Sequence, residues 1–465
     1  MQRRTLLQLL ATAGYASLTR SLRAEDAPLP PMRTITRGPR QHWFGYYDKL
    51  QFSADNRYVL GMEVPFEHRS PMPDDTIRIG MVDLRDGDRW IELGETRAWN
   101  WQQGCMLQWV PGSTNEIVWN DRVRDGNSER FVCHVMNVET RKLRTLPHPV
   151  YTLSPDGQSA ILPDFRRLND CRPGYGYCGI PDPHADQDRP TETGLWQMDL
   201  VNGALKLLLS FAQIAAMPYD DGGTPFANDP ADAKHWFNHL LYAPDGKRFL
   251  FLHRWRDRKS LAGGGAARGG FSTRMFTADA DGSQLYVVDP LGKTSHFVWR
   301  DPQHIAAWAF HPSRGERFYL FQDQTREVTP IGPDVMTVNG HNTYLPITDN
   351  RWILNDTYPD KARLQHPYLF DTTQGTKTPI GHFHSPPEYT GEWRCDTHPR
   401  SSRDGQWVCI DSPHTGEGRQ MHLIDISGIV RACARSGLAL SVRSTRISRA
   451  DAPRHRPTHP LDPAA

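Results

Sequence analysis

A short unit of two strands joined by a tight polar turn recurs along this chain. In its clearest copy, residues 239–246, an apolar stretch runs into Pro244-Asp245-Gly246, and a second apolar stretch follows at residues 248–252. An Asp-Gly pair between two such runs is typical of a β-hairpin. Seven copies of the unit can be aligned, each followed by an apolar strand, at residues 49–56, 106–113, 150–157, 239–246, 296–302, 341–350 and 398–405.

The spacing of these copies predicts the architecture. Successive copies begin 57, 44, 89, 57, 45 and 57 residues apart, and the longest interval contains an insertion. Repeats of about 40–60 residues with four strands each indicate a β-propeller. We therefore predict an all-β, seven-bladed β-propeller with four-stranded blades over residues 31–427. A linear array of hairpins or a two-domain sandwich is the weaker alternative, because the repeat continues from end to end.

The two ends of the repeat region predict how the ring closes. The last copy lacks an outer strand after Ser427, while residues 34–36 stand unassigned before the first copy. We expect this N-terminal segment to complete the last blade. Beyond about Val430 the chain becomes basic and rich in Pro, Ala and Ser, which predicts a disordered basic tail over residues 428–465.

Residues 1–24 have the pattern of an export signal. Arg3 and Arg4 precede an uncharged, mostly apolar run of 14 residues at 5–18, and residues 22–24 form an acceptable cleavage site. The paired arginines resemble a twin-arginine signal, which implies the twin-arginine export machinery as a partner. Because the run is too short to span a bilayer, we expect a soluble periplasmic or secreted protein without stable membrane insertion. An N-terminal anchor is the alternative.

Charge and cysteine content exclude some functions. The chain has 465 residues with 54 Lys and Arg against 53 Asp and Glu, so no overall field favours nucleic acid as a partner. Its seven cysteines include no Cys-x-x-Cys pair, which argues against a zinc site made of thiolates. Cys171 and Cys178 are close enough in sequence to form a disulfide in an oxidising compartment.

Four copies of the unit carry a histidine at the same first position. Because the innermost strand of each propeller blade lines the central channel, His239, His296, His341 and His398 should meet at one rim. Three neutral imidazoles from neighbouring blades suit a divalent transition metal. We predict His296, His341 and His398 as metal ligands, and His239 as a general base or a fourth ligand. The alternative is that each histidine only caps a strand or bonds a carbonyl in the channel.

Two further regions should face the same rim. Arg254 follows the strand that returns beside His239, where it would bind a carboxylate through two hydrogen bonds or be an ordinary surface charge. The segment at residues 42–48 enters the first blade there and is rich in aromatic residues. We predict that His42 and Tyr47 in this segment contact substrate, with packing of the channel as the alternative.

The longest insertions also emerge on this face, at residues 65–75, 166–191 and 256–273. The second of them carries a turn followed by Tyr175 and Tyr177. These tyrosines are candidates for substrate contact or proton donation. Because one face carries the histidines, the charges and the long loops, we expect the functional site on that face.

These units resemble those of the propeller polysaccharide lyases. Residues 238–246 and 295–299 are similar to repeats of oligogalacturonate lyase, and so are residues 340–341 and 396–405. The resemblance covers most blades from about residue 40 to 427. Seven-bladed ulvan lyases are comparable relatives. TolB-like propellers, which bind and do not catalyse, share the Asp-Gly turns.

The resemblance implies a cofactor and a reaction. Oligogalacturonate lyase binds manganese through histidines and a glutamine in the channel, and it uses a histidine base with an arginine. The match implies His296 as a ligand and His239 as the base, while Asn339 and His341 lie near the position of the family's other ligands. We therefore expect β-elimination on a uronate-containing oligosaccharide or polysaccharide, with Arg254 and bound Mn²⁺, or else Zn²⁺ or Ca²⁺, neutralising the carboxylate. A metal-dependent hydrolase or isomerase and a non-catalytic, TolB-like binding or scaffold propeller are the alternatives.

Overall fold

The fold is built from seven four-stranded antiparallel sheets. The structure, a computed structural model, describes residues 28–220, 222–223, 233–257 and 270–431. Within those residues the seven sheets follow one another along the chain, and each is one blade of a ring. This confirms the predicted all-β, seven-bladed propeller. The predicted export signal at residues 1–24 lies outside the described residues.

The first three blades take their strands in chain order. The N-terminal strand β1 (Met32–Thr34) precedes them. Blade 1 contains β2 (Gln41–Trp43), β3 (Tyr58–Val64), β4 (Ile77–Asp83) and β5 (Arg89–Thr96). Blade 2 contains β6 (Gln108–Trp109), β7 (Glu116–Asp125), β8 (Ser128–Asn137) and β9 (Leu143–Leu146). Blade 3 contains β10 (Thr152–Leu153), β11 (Ser159–Pro163), β12 (Gly194–Asp199) and β13 (Leu205–Ser210).

The remaining four blades follow the same plan. Blade 4 contains β14 (Ala233–Tyr242), β15 (Arg248–Asp257), β16 (Ser272–Asp279) and β17 (Tyr286–Gly292). Blade 5 contains β18 (Phe297–Asp301), β19 (His304–His311), β20 (Gly315–Gln322) and β21 (Val328–Pro330). Blade 6 contains β22 (Thr343–Tyr344), β23 (Trp352–Asn355), β25 (Tyr368–Asp371) and β26 (Thr376–Pro379), and the short strands β24 (Leu364–Gln365) and β27 (Phe383–His384) pair beside it. Blade 7 contains β28 (Arg400–Ser401), β29 (Trp407–Ser412) and β30 (Gln420–Asp425).

The core lies between neighbouring blades. In β15 nine of ten residues are buried, because both faces of the sheet are covered. Such a strand reads as a nearly continuous apolar run and not as an alternating one. Each pair of adjacent sheets packs in this way, which fixes the inner ends of the strands around a central channel.

The N-terminal strand closes the ring. β1 pairs with β30, so that Met32 lies opposite Ile424 and Thr34 lies opposite His422. The hydroxyl of Thr36 donates to Gln420 Oε1 at 2.7 Å and extends this seam. The predicted completion of the last blade by the N-terminal segment is confirmed.

The innermost strand of blade 1 differs from the prediction. It lies at β2 and not at residues 49–56, and the chain rejoins the sheet only at Phe52, which bridges to Val59. Residues 44–50, which we call the channel loop, leave the sheet between these points. The backbone amides of Phe44 and Gly45 donate to Asp411 of blade 7 at 3.2–3.3 Å, which holds the loop toward the channel.

Short helices lie in the connections between strands. They are α1 (Phe165–Cys171) and α2 (Phe211–Ala215), and they are too short for a periodic pattern to show.

Three further predictions concern the tail, the cysteines and the membrane. Residues 428–431, which the sequence places in a disordered tail, are helical because Ile429 and Val430 pack against the core of the last blades. Residues 432–465 lie outside the described residues. Cys171 and Cys178 are not joined to each other, so the suggested disulfide does not form. In the described ranges no helix is long and apolar enough to cross a membrane.

Candidate active site in the central channel

Four histidines from four consecutive blades meet in the channel. The ring centres are 6.4 Å apart for His239 and His296, and 4.2 Å apart both for His296 and His341 and for His341 and His398. All four side chains are buried. The first position of each repeat therefore places these rings together, as the spacing of the units indicates.

Two of these histidines have a strained backbone. His239 and His398 have φ angles of 58° and 38°, in the left-handed region that side chains other than glycine rarely adopt. His239 also lies at an irregularity of β14, where the pairing with β15 shifts between Asn238 and Leu240. Such bulges redirect a side chain, and here the bulged histidine contacts the channel loop.

Three residues form a group that could hold a metal ion. Ligand atoms of His341, Asp396 and His398 all lie within 4.8 Å of one another, and all three residues are buried. His341 Nδ1 lies 2.9 Å from Asp356 Oδ1, which orients its Nε2 as the free nitrogen. The hydroxyl of Thr397 donates to Asp356 Oδ2 at 2.6 Å. This carboxylate-histidine arrangement is usual around bound metals.

The donor atoms of this group fit a transition metal. His398 Nε2 is buried and has no hydrogen-bond partner among the described residues. A buried polar atom of this kind requires a partner, and a cation would supply one. Two nitrogens and a carboxylate suit Mn²⁺ or Zn²⁺, whereas Ca²⁺ prefers oxygen ligands. Gly340 permits the approach, because a Cβ there would lie 2.0 Å from the backbone oxygen of Asp356.

His296 lies next to this group but is not a member of it. Its Nδ1 lies 3.0 Å from Asn339 Oδ1, and its Nε2 lies 3.5 Å from the hydroxyl of Tyr358. Burial and the neighbouring His341 lower the pKa of His296 well below its usual value, so the ring is neutral. Its assignment as a third histidine ligand stays a prediction.

A cavity of about 290 Å³ opens beside His296. Its walls include Tyr46, Arg172, Tyr175, Arg254, His296 and Tyr358. The cavity thus brings together residues of the channel loop, of the insertion in blade 3 and of blades 4 to 6. It is rich in groups that donate hydrogen bonds to anions.

Arg254 brings a buried positive charge to this cavity. The side chain is buried, and it makes no ion pair with any residue that the structure describes. Its Nε has no hydrogen-bond partner in the described part of the chain, and its guanidinium lies 4.8 Å from the ring of Phe271. Burial, with the nearby charge of Arg172, lowers the pKa of Arg254 to about 9. An anionic group entering the cavity would therefore be bound strongly.

Tyr175 is the cavity residue with the most altered acidity. Arg394 Nη2 donates to its hydroxyl at 2.8 Å. Burial would raise the pKa of Tyr175, but Arg394 and Arg172 outweigh it and lower that pKa to about 7. Arg394 Nε also lies 2.7 Å from Asp396 Oδ2 and so connects the cavity with the metal-binding group.

Three of the four residues predicted to contact substrate, His42, Tyr47 and Tyr177, are not among those that line the cavity. Tyr177 is fully buried within the insertion of blade 3, where its hydroxyl accepts a hydrogen bond from Asn120 at 2.9 Å. His42 lies in the seam between blades 1 and 7, with its Nδ1 3.1 Å from Gln420 and its Nε2 3.3 Å from Glu63. Neither is among the residues that line the cavity.

Two tyrosines of the channel loop, Tyr46 and Tyr47, contact His239. The hydroxyl of Tyr47 lies 3.2 Å from His239 Nε2, and the hydroxyl of Tyr46 lies 3.4 Å from His239 Nδ1. Tyr46 lines the cavity, whereas His239 and Tyr47 do not. The predicted base is thus in the expected place but is covered by the channel loop.

Several residues of the site were not singled out from the sequence. Asp396 stands two residues before His398, in a unit whose resemblance to oligogalacturonate lyase was noted without a function for the carboxylate. Asp356 directly follows the second strand of its blade, β23, and a polar residue at that position does not by itself indicate a function. No sequence pattern distinguishes Arg394 and Tyr46 from the residues around them, because their importance comes from contacts across the channel.

Solved structures of known proteins share this architecture. An oligogalacturonate lyase in complex with manganese matches with a TM-score of 0.57 and 15% identity, over 86% of this chain and 94% of that chain. An oligogalacturonate lyase of Vibrio parahaemolyticus matches with a TM-score of 0.57 and 13% identity, over 85% and 94%. TolB of Acinetobacter baumannii matches with a TM-score of 0.37 and 12% identity, over 80% and 81%.

Sequence comparison adds nothing to this likeness. No protein-family model matches the chain, and no curated protein sequence does. At 13–15% identity the structural similarity concerns the fold alone. The chain therefore shares the seven-bladed propeller of the oligogalacturonate lyases, as the resemblance of its repeats predicted.

Proposed function

We propose that this protein is a metal-dependent lyase that cleaves a uronate-containing oligosaccharide or polysaccharide by β-elimination. The observation that carries this proposal is a metal-binding group, His341, Asp396 and His398, beside a cavity that holds the guanidinium of Arg254, which has no ion-pair partner among the described residues. The fold shared with an oligogalacturonate lyase that binds manganese supports it.

The first requirement of this reaction is to stabilise negative charge. The proton α to a uronate carboxylate is weakly acidic, so the site must neutralise the carboxylate as the enolate forms. Arg254 and Arg172 lie in one cavity and would bind that carboxylate through paired hydrogen bonds. When bound, a divalent metal would supply further positive charge against the developing enolate.

The second requirement is to move two protons. His239 takes up the substrate proton, because burial and then the neighbouring His296 and Arg254 lower its pKa well below the usual value and keep the ring neutral. Tyr175 is the proton donor to the leaving glycosidic oxygen. With its pKa lowered to about 7, it is a better acid than an ordinary tyrosine. As the C–O bond breaks, a double bond forms between the α and β carbons.

The decisive experiment measures the unsaturated uronate product by its ultraviolet absorbance. Purified protein, loaded with Mn²⁺ or Zn²⁺ or treated with a chelator, is given oligogalacturonides, ulvan oligosaccharides and other uronate oligomers. We expect product from at least one of them with the metal-loaded protein and none after chelation. Metal-loaded protein that forms saturated ends instead would be a hydrolase and would contradict the proposal.

The variant Arg254→Lys tests the carboxylate site within the same assay. A lysine keeps the charge but cannot form the paired hydrogen bonds, so we expect kcat/KM to fall by about 100-fold. Arg317→Lys is the control, since Arg317 lies in blade 5 and donates to the backbone of Pro333. Equal activity of the two variants would remove Arg254 from the site.

A non-catalytic binding propeller is the alternative, and the histidines would then only pack the channel. It predicts that uronate oligomers bind, by calorimetry, without any unsaturated product. It also predicts that a chelator leaves this binding unchanged.

We also propose that the protein is exported to the periplasm by the twin-arginine route. The support is the sequence of residues 1–24, with Arg3 and Arg4 before an apolar run. Changing both arginines to lysine should keep the precursor in the cytoplasm on cell fractionation, whereas Arg20→Lys should not. A precursor that is exported equally well with both lysines would contradict this route.

A further inference from the structure

We infer that Tyr46 is the group that removes the proton from the substrate, while its own hydroxyl proton passes to His239. This inference rests on the proposed lyase activity. Tyr46 lines the cavity and His239 does not. The hydroxyl of Tyr46 lies 3.4 Å from His239 Nδ1, so the phenol stands between the predicted base and the space for substrate.

The hydrogen bonds of Tyr47 determine which nitrogen of His239 accepts a proton. The hydroxyl of Tyr47 donates to the backbone oxygen of Phe297 at 3.0 Å and accepts from the backbone nitrogen of Phe297 at 3.1 Å. Its single proton is then used, so its remaining lone pair, 3.2 Å from His239 Nε2, can only accept. His239 therefore carries its proton on Nε2 and presents a free lone pair on Nδ1.

That lone pair faces Tyr46. The Tyr46 hydroxyl donates to His239 Nδ1, which leaves the phenol oxygen free to accept a proton from the cavity side. In many enzymes a histidine accepts the proton of a neighbouring nucleophile or base, and a third group sets the tautomer of that histidine. The same three positions are present here. Tyr47 has that third position here and acts as a positioning residue.

The ring of His239 is held rigidly for this purpose. It stacks on the ring of Phe297, with centres 4.1 Å apart and planes inclined by 28°. The Tyr46 ring meets it edge to face at 4.8 Å. The bulge of β14 at His239 aims the ring, and the anchoring of Phe44 and Gly45 to Asp411 fixes the loop that carries both tyrosines.

The chemical step balances without a further reactant. The α C–H bond of the uronate breaks, and its proton bonds to the oxygen of Tyr46 as the original hydroxyl proton of Tyr46 moves to His239 Nδ1. The electron pair of the C–H bond forms the double bond, and the C–O bond to the leaving sugar breaks. Tyr175 protonates that oxygen and regains a proton from solvent, while the imidazolium of His239 loses its proton to solvent through Tyr46.

The first arm of the test determines the tautomer of His239 and needs no substrate. Full-length protein labelled with ¹⁵N in histidine is studied by long-range ¹H–¹⁵N correlation, and the His239 signals are assigned with His239→Gln. We expect the Nε2–H tautomer in the wild type and a loss of this single tautomer in Tyr47→Phe. An Nδ1–H tautomer in the wild type would overturn the inference whatever the enzyme assay shows.

The second arm measures kcat and KM for the unsaturated product. Tyr46→Phe should lower kcat by about 10²–10⁴-fold, the usual contribution of a positioned acid or base, while KM and metal content stay near those of the wild type. Tyr344→Phe, whose half-buried ring lies in β22, is the control and should keep full activity.

The outcomes separate this inference from the function on which it rests. An active wild type with an equally active Tyr46→Phe variant leaves the lyase but removes the relay. A wild type that forms no unsaturated product from any uronate oligomer refutes the lyase function itself. If Tyr46→Phe no longer binds metal or unfolds at a lower urea concentration than the wild type, Tyr46→Trp is tested in its place. A kcat of Tyr46→Trp near that of the wild type would again refute the relay.

Discussion

At the residue scale, the channel depends on a few buried carboxylates that orient other groups. Asp356 is fully buried, and it accepts hydrogen bonds from the backbone nitrogen of His341 at 2.7 Å and from the hydroxyl of Thr397 at 2.6 Å. It also lies 2.9 Å from His341 Nδ1. The Asp356 side chain thus orients the ring of His341 and holds Thr397, the residue just before His398.

The variant Asp356→Asn should weaken metal binding by about 10–100-fold, the usual effect of changing the partner of a ligating histidine. The amide carries no charge to favour a bound cation, and its NH₂ group cannot accept from Thr397. Mn²⁺ titration of the apo protein measures the change. Asp360→Asn is the matched control, because Asp360 bonds His366 at the surface. Equal affinities in the two variants would exclude Asp356 from the metal site.

Tyr175 should give the reaction a pH limb near neutrality. A proton donor works in its protonated form, and that form decreases as pH rises through the Tyr175 pKa of about 7. We therefore expect kcat to fall above about pH 7 in the wild type, and Tyr175→Phe to lose both this limb and about 10²-fold or more of its rate. Tyr358→Phe should keep the limb. A limb that persists in Tyr175→Phe would assign the acid to another group.

At the element scale, the channel loop depends on blade 7 for its position. Asp411 accepts from the amides of Phe44 and Gly45, and it pairs with Arg400 through two contacts of 2.8 and 3.1 Å. All of these side chains are buried. Because Gly45 has a φ of 104° and a Cβ there would lie 2.9 Å from Gln103, this turn of the loop requires glycine.

Removing this anchor with Asp411→Ala should destabilise the fold by about 3–5 kcal/mol, because a buried arginine loses its carboxylate. The urea midpoint of unfolding measures the loss. Asp425→Ala is the control, since Asp425 is half-buried and accepts from the backbone of Ser427 at the end of the last blade. A midpoint that moves no further than in the control would show that the loop is held by other contacts.

The elements that the sequence predicted well are those with a local cause. The turn at Asp245-Gly246 needs a positive φ, which Gly246 adopts at 71°, and the apolar strand after it needs only its own side chains. Seven such units were enough to predict the number of blades. The channel loop was not predicted from the sequence, because the turn at Asn56 placed the innermost strand of blade 1 directly before it. The residue that anchors the loop, Asp411, lies more than 360 residues away in sequence.

The site was predicted in part for the same reason. His239, His296, His341 and His398 share one register, so their convergence could be predicted from spacing. Asp396 occupies another register, and only the geometry of the channel brings its carboxylate to within 4.8 Å of the ligand atoms of the histidines beside it. Exclusion of Tyr177 from the cavity follows from its packing on Phe165, at 4.3 Å between ring centres, which no sequence pattern reveals.

At the scale of the whole molecule, stability depends on the seam between β1 and β30. His422 lies in this seam with its Nε2 3.1 Å from the backbone oxygen of Ser412 and its Nδ1 3.1 Å from the hydroxyl of Thr34. Burial, and then the neighbouring His414, lower the pKa of His422 to about 4. The ring is therefore neutral when the propeller is closed.

Acid should open this seam. An unfolded histidine has a pKa of about 6.5, so between pH 6.5 and 4 the unfolded chain binds a proton that folded His422 does not. The free energy of unfolding should fall over this window, by about 3 kcal/mol in total from this group. Urea unfolding at several pH values measures it, and His422→Gln should flatten the dependence. An unchanged slope in the variant would assign the acid sensitivity to other groups.

The closure of the ring by its two ends also has a consequence for biosynthesis. Thr34 and His422 are 388 residues apart, so the seventh sheet stays incomplete until nearly the whole propeller has been translated. At about 5–20 residues per second, roughly 20 to 80 s separate the emergence of these partners from the ribosome. Throughout that interval the nascent ring is open, and β1 has unpaired backbone groups that can join a neighbouring chain. A premature stop before residue 420 would therefore yield an aggregation-prone open ring, and not a smaller active enzyme.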